Sequence, residues 1–178
     1  MSPTPATIAT RIFARVLVPF DFSDHATRAL EVAAGLAGPA GTVTVLHATP
    51  PVYTSMGGPA ADLAWTPPPE MIGDLRRQLE ALVTRVLGRE EASRVRCRVV
   101  PADPVSAILD AAKRADAIVM TTLGRTGLGH LLMGSVAEKV VRHATIPVLT
   151  LHPAAAKRLA RKGASKSKTK AGRRVSAR

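Results

Sequence analysis

The sequence predicts an α/β domain on a parallel sheet, and three observations carry that prediction. Short apolar runs rich in branched residues alternate with segments whose apolar residues recur at helical spacing. Apolar residues make up 46% of the chain but aromatic ones only 3%, so the core has to be packed from Ala, Val, Leu and Ile, which suits helices laid on a sheet. The 178 residues are enough for one such domain with tails and do not call for a second.

Taken in order, Val16-Leu17-Val18 within Arg15 to Phe20 makes a first buried strand. Pro19 has no N–H and marks where its ladder stops, and Asp21 follows at once. The next helix opens near Ser23 or Asp24, carries Ala26, Ala29, Leu30, Ala33, Ala34 and Ala37 on one face, and ends at Gly38-Pro39. Thr42 to His47 is a second strand, ending at Ala48. Pro50, Pro51, Gly57, Gly58, Pro59 and Pro67 to Pro69 make the following segment long and irregular, with Tyr53 and Trp65 in it, and loops of that length are commonly functional or mobile. From Glu70 the helical period returns, with Met71, Leu75, Leu79, Leu82, Val83, Val86 and Leu87 on one face and Gly88 as C-cap. Val95 to Val100 is a third strand, and Asp103-Pro104 then reads as cap and first position of a helix bearing Val105, Ile108, Leu109 and Ala112.

The stretch from Asp116 to His152 organises the rest. Ala117 to Met120 is a fourth strand, and Gly124, Gly127 and Gly129 follow it with Arg125 among them. Gly134 and Ser135 precede the periodic residues Val136, Val140, Val141 and Ala144, and Glu138 stands three places after Ser135, the spacing of a capping box. Lys139, Arg142 and His143 fall where cations suit the helix dipole, and Pro147 stops the helix before a last strand, Val148 to Leu151. A strand that feeds glycines into a helix N-terminus makes an anion site, because unpaired N–H groups and the positive dipole end converge there. Phosphate is the obvious guest. The glycines are not those of a Walker A loop, since no Gly-Lys-Ser/Thr follows, and they lack the dinucleotide spacing.

What the stretch does resemble is the universal stress protein family, whose nucleotide-binding members carry Gly, two residues, Gly, nine residues, then Gly-Ser or Gly-Thr. Gly124, the nine residues Arg125 to Met133, and Gly134-Ser135 match, while Thr121 stands in the place of the first glycine. GRTGL at Gly124 to Leu128, GSVAEKV at Gly134 to Val140 and IPVLTL at Ile146 to Leu151 are also similar, as are VLVPFDFS at Val16 to Ser23 and VLHA at Val45 to Ala48. The resemblance implies a three-layer, doubly wound, Rossmann-like domain over residues 13–152, with a five-stranded parallel sheet in the order 3-2-1-4-5. It implies a ligand, ATP, in the crevice where the strand order reverses. There Pro19, Asp21 and the Ala48 backbone would hold the nucleoside, and Thr121, Gly124, Arg125, Gly134 and Ser135 would surround the phosphates. Magnesium would come with the nucleotide, and Asp21 is the nearby acid for it. The last strand, Val148 to Leu151, would pair across a two-fold axis to make a homodimer.

Taken one at a time, the same residues have plainer roles. Asp21 reads as a turn residue or helix cap, Arg125 as a solvated loop charge, Gly127 and Gly129 as turn formers, and His47 as a rim histidine. His130 and His143 have no partner pattern for a metal. No pair of carboxylates and no nucleophile with a base accompanies the glycine loop, so no catalytic residue is expected and hydrolysis is slow at most. Two functions remain: an ATP-binding regulatory module of the stress response, or a member of the same family without nucleotide that acts as a dimeric interaction module.

The net charge of +12 is unevenly spread: ten Lys or Arg and no acid stand between Lys157 and Arg178, leaving 15 basic against 13 acidic residues before them. Residues 153–178 are therefore expected to be a disordered basic tail, with nonspecific nucleic acid as its alternative partner, and 1–12 a flexible N-terminus. The opening residues form no secretory signal, no run reaches the length of a membrane span, and the single Cys97 excludes an internal disulfide. The expected compartment is the cytoplasm.

Overall fold

The computed structural model describes residues 13–54, 63–122 and 133–152. Five strands form one sheet: β1 (Arg15–Pro19), β2 (Thr42–Ala48), β5 (Val95–Val100), β6 (Ala117–Thr121) and β7 (Val148–Leu151). Their order is β5-β2-β1-β6-β7 and every neighbouring pair is parallel, which is the predicted 3-2-1-4-5 counted over the sheet strands alone.

The helices α1 (Asp24–Ala37), α2 (Pro69–Leu87), α4 (Pro104–Ala112) and α5 (Ser135–His143) connect the strands, and a single turn, α3 (Arg89–Ala92), follows α2. One difference from the sequence reading lies in the segment 50–69. It contains an antiparallel ribbon, β3 (Val52–Thr54) with β4 (Leu63–Trp65), in the register Val52↔Trp65 to Thr54↔Leu63. Three-residue strands among prolines are too short to display a period of two, so nothing in the sequence marked them.

Alternation along β1 builds the three layers. Val16 and Val18 face one way, into a core with α1 and α2 that includes Leu30, Leu79, Val83 and Val119. Leu17 faces the other way, into a core with α4 and α5 that includes Ile108, Ile118, Ala137 and Val140. All of these side chains are buried. The α1 face is small as predicted, with Ala26, Ala29, Leu30, Ala33 and Ala37 buried. Two residues assigned to apolar faces, Met71 of α2 and Val141 of α5, stand exposed. Cys97 on β5 packs against the first core, and burial pushes its thiol up to about 11, which keeps it un-ionised at neutral pH.

The sheet is tied at one end of the β1–β6 seam and open at the other. At the tied end Asp116 Oδ2 accepts from the Ala14 and Arg15 amides at 3.1 and 2.8 Å, while the Arg15 guanidinium donates to its Oδ1 at 2.7 Å. That bond to Arg15 holds the Asp116 carboxyl below the usual range. Along β1 the main-chain groups alternate sides, and the Phe20 amide donates to Leu46 of β2 at 2.8 Å. The N–H missing at Pro19 therefore falls on the β6 side. The β1–β6 register accordingly extends only from Val16↔Ala117 to Leu17↔Ile118, whereas β1–β2 pairing runs on to Pro19↔Leu46. Proline at this position is what lets the two central strands part. Among the described residues no helix is long and apolar enough to cross a membrane.

Candidate functional site

A cavity of about 310 Å³ occupies the opening between β1 and β6. It lies at the carboxyl ends of three strands, lined by Pro19, Ala48 and Thr121. Leu46, Ile108, Met120 and Ala26 give it an apolar floor, and Phe20, Asp21, His47, Pro104, Thr122, Gly134, Ser135, Val136 and Ala137 complete the wall. This is the reversal point of a doubly wound sheet, where such folds hold ligands.

The β1–α1 turn supplies the carboxylate. Asp21 Oδ1 accepts from the Ser23 amide at 3.1 Å and from the Ser23 hydroxyl at 2.6 Å. Ser23 is the N-cap of α1, its Oγ accepting from the Ala26 amide at 3.1 Å. Asp21 is thus not itself the cap; it braces the residue that is. Its Oδ2 has no partner among the described residues. Between them stands Phe22 at φ 64, the one non-glycine residue in the left-handed region among those described. That conformation costs a non-glycine residue roughly 1–2 kcal/mol, and strain of this kind gathers at binding sites.

The β6–α5 connection supplies donors. Thr122 is held from both sides, its amide donating to Leu151 at 3.2 Å and its carbonyl accepting from Gly134 at 2.6 Å. The strand end and the helix start are therefore stitched together. The Thr122 Oγ1 is buried beside the cavity and has no hydrogen-bond partner among the described residues.

The capping box predicted for Ser135 and Glu138 does not form. Gly134 is the N-cap, extended at φ −69 and ψ 151, and no side chain caps α5. With the Gly134 amide committed to Thr122 and Gly134 itself the N-cap, the helix begins one residue earlier than the motif implies, and Ser135 lies inside its first turn. Glu138 pairs forward instead, with Arg142 at 2.8 Å. The difference matters at the cavity, where three helix N-termini meet. α1 is capped by Ser23 and α4 by Asp103, whose Oδ1 accepts from the Ser106 amide at 2.9 Å, a bond that lowers the Asp103 pKa. α5 has no side-chain cap, and its first amides, those of Ser135, Val136 and Ala137, have no acceptor among the described residues.

Six of the eight residues expected at the site, Pro19, Asp21, Ala48, Thr121, Gly134 and Ser135, line this one cavity. Gly124 and Arg125, with Gly127 and Gly129, lie outside the described residues. Sequence reading did not foresee Thr122, Pro104 or Ile108. Pro104 and Ile108 arrive through the crossover that lays α4 beside α5, and only the strand order could have placed them. The described residues contain no cluster of three or more His, Cys, Asp or Glu able to hold a metal ion.

A model of the universal stress protein family matches residues 13–152. The chain belongs to that family. Among its relatives is a universal stress protein of Thermus aquaticus, 38% identical over 141 residues that cover 78% of this chain and 98% of that one. A solved universal stress protein from Archaeoglobus fulgidus is 30% identical, with a TM-score of 0.56 over 78% of this chain and 98% of its own. The universal stress protein from the same organism in complex with dAMP is 28% identical, with a TM-score of 0.52 and the same coverage of both chains.

Proposed function

We propose that this universal stress protein is a regulatory module that binds ATP in the cavity between β1 and β6. The observation that carries the reading is the set of partnerless polar groups above an apolar floor: Asp21 Oδ2 and the three uncapped amides of α5. The floor of Leu46, Ile108 and Met120 fits the flat face of a base beside the Ala48 backbone. Asp21 would accept from the sugar hydroxyls, and the α5 amides with the Ser135 hydroxyl would receive phosphate oxygens. A volume of about 310 Å³ is at the small end for a ligand pocket, enough for the nucleoside, with the phosphates directed toward the N-terminus of α5. Magnesium would be held largely by phosphate oxygens and water, with Asp21 as the protein's carboxylate. We read the module as a binder with slow hydrolysis at most, since Asp21 is the one carboxylate among the described lining residues and its Oδ1 is engaged by Ser23.

Calorimetric titration of the purified protein with ATP tests this directly, and absence of binding would leave the interaction-module reading in its place. In the same titration Thr121→Gly should bind ATP about threefold to tenfold more tightly, because it removes a β-branched side chain where phosphate approaches. Equal affinities would show that Thr121 does not crowd the ligand.

The same reading includes a homodimer through β7. Among the described residues that strand is a sheet edge, paired only with β6, and Leu149 on it is 41% exposed. Apolar edges of this kind are normally covered. Sedimentation at micromolar concentration should give the mass of two chains, and Leu149→Lys should give the mass of one; a monomeric parent would end the proposal.

A further inference from the structure

The β1–α1 turn is gripped at two points by a single side chain from another strand. His47, near the end of β2, places Nδ1 at 2.7 Å from the carbonyl oxygen of Phe20, the residue before Asp21. Its ring also meets the ring of Phe22, the residue after Asp21, edge-on at 4.8 Å and 73°. Phe22 in turn meets Phe20 edge-on at 5.6 Å. A carbonyl can only accept, so Nδ1 carries the proton that joins it to Phe20. Phe22 is the left-handed residue of the turn, and a turn that relies on such a conformation holds it only where its surroundings fix it.

From this bracketing we infer that His47 is a positioning residue for the nucleotide site: it fixes the turn so that Asp21 faces the cavity while bracing Ser23. This deepens the ATP-binding reading and rests on it for its consequence, although the grip itself exists without ligand. His47 needs no contact with the nucleotide to act in this way. Loss of the Nδ1 bond and the ring contact frees Phe22 to leave the left-handed region, which turns the carboxylate away and releases the Ser23 amide from Oδ1. An asparagine at 47 can set its amide nitrogen close to the place of Nδ1 and so keep the bond to Phe20, though not the ring contact.

The test compares the parent protein with His47→Leu, His47→Asn, Asp21→Asn and the double variant His47→Leu/Asp21→Asn. ATP affinity is read by calorimetry, and exchange of the Ser23 amide is read by NMR without nucleotide. His47→Leu should weaken ATP roughly tenfold, as for one lost hydrogen bond, and His47→Asn should recover most of it. The double variant should bind no more weakly than Asp21→Asn alone, because both changes remove the same contact. Ser23 exchange should be faster in His47→Leu and near the parent rate in His47→Asn. Unchanged affinity and exchange in His47→Leu would overturn the inference, as would effects that simply add in the double variant, the mark of a general loss of packing. If the parent binds no ATP, the functional reading fails separately, and Ser23 exchange alone decides: faster in His47→Leu and restored in His47→Asn upholds the positioning role, and no change overturns it.

Discussion

Leu30→Ala is expected to remove about 3 kcal/mol of stability. Leu30 is fully buried under α1 in the core that contains Val16, Val18, Val45, Leu79 and Val119. It is the one large side chain among the five buried residues of its helix, the others being Ala26, Ala29, Ala33 and Ala37. Those alanines set the helix close to the sheet, so the backbone has little room to settle into the hole that a shorter side chain leaves. The loss should therefore combine the transfer free energy of the missing methyl and methylene groups with a cavity term. In urea the midpoint should fall by roughly 1–2 M with an unchanged slope. A fall of less than ~0.3 M would mean that α1 can close onto the sheet, contrary to the packing described.

How much of this was legible beforehand follows from where the information lies. The strands of the sheet and the start of α1 at Ser23 could be read because branched runs, helical periods and caps are local signals, and the structure places them as expected. The α5 cap could not, even though the Ser135–Glu138 spacing fits the motif. What decides that cap is a bond between the Gly134 amide and Thr122, residues separated by a segment whose path the sequence does not state. Phe22 is similar. Its left-handed backbone has no local cause, since nothing about phenylalanine favours it, and its support comes from His47 on another strand. The β3–β4 ribbon was hidden by shortness rather than by distance. For the site, Pro19 and Asp21 could be paired with Gly134 and Ser135 only after a strand order had been assumed. Thr122, Pro104 and Ile108 join them through tertiary neighbours alone.

Asp21→Ala should weaken ATP by about 10-fold to 100-fold, the range expected when a hydrogen bond to a charged group is removed. Two functions of the carboxylate are lost together in that variant: Oδ2, which is offered to the ligand, and Oδ1, which holds the Ser23 amide and hydroxyl. Asp21→Asn separates them. Its side-chain oxygen can still accept from Ser23, so the turn and the α1 cap should persist and thermal stability should stay near that of the parent. The amide group now in the place of Oδ2 can donate but not accept, and it carries no charge, so sugar hydroxyls and magnesium both lose their partner. ATP affinity should consequently fall about tenfold or more in Asp21→Asn while the melting temperature hardly moves. In Asp21→Ala the melting temperature should fall as well, because Ser23 loses its brace. If Asp21→Asn bound ATP as the parent does, the carboxylate would be a turn former only, and the nucleoside end of the site would have to be sought elsewhere in the cavity.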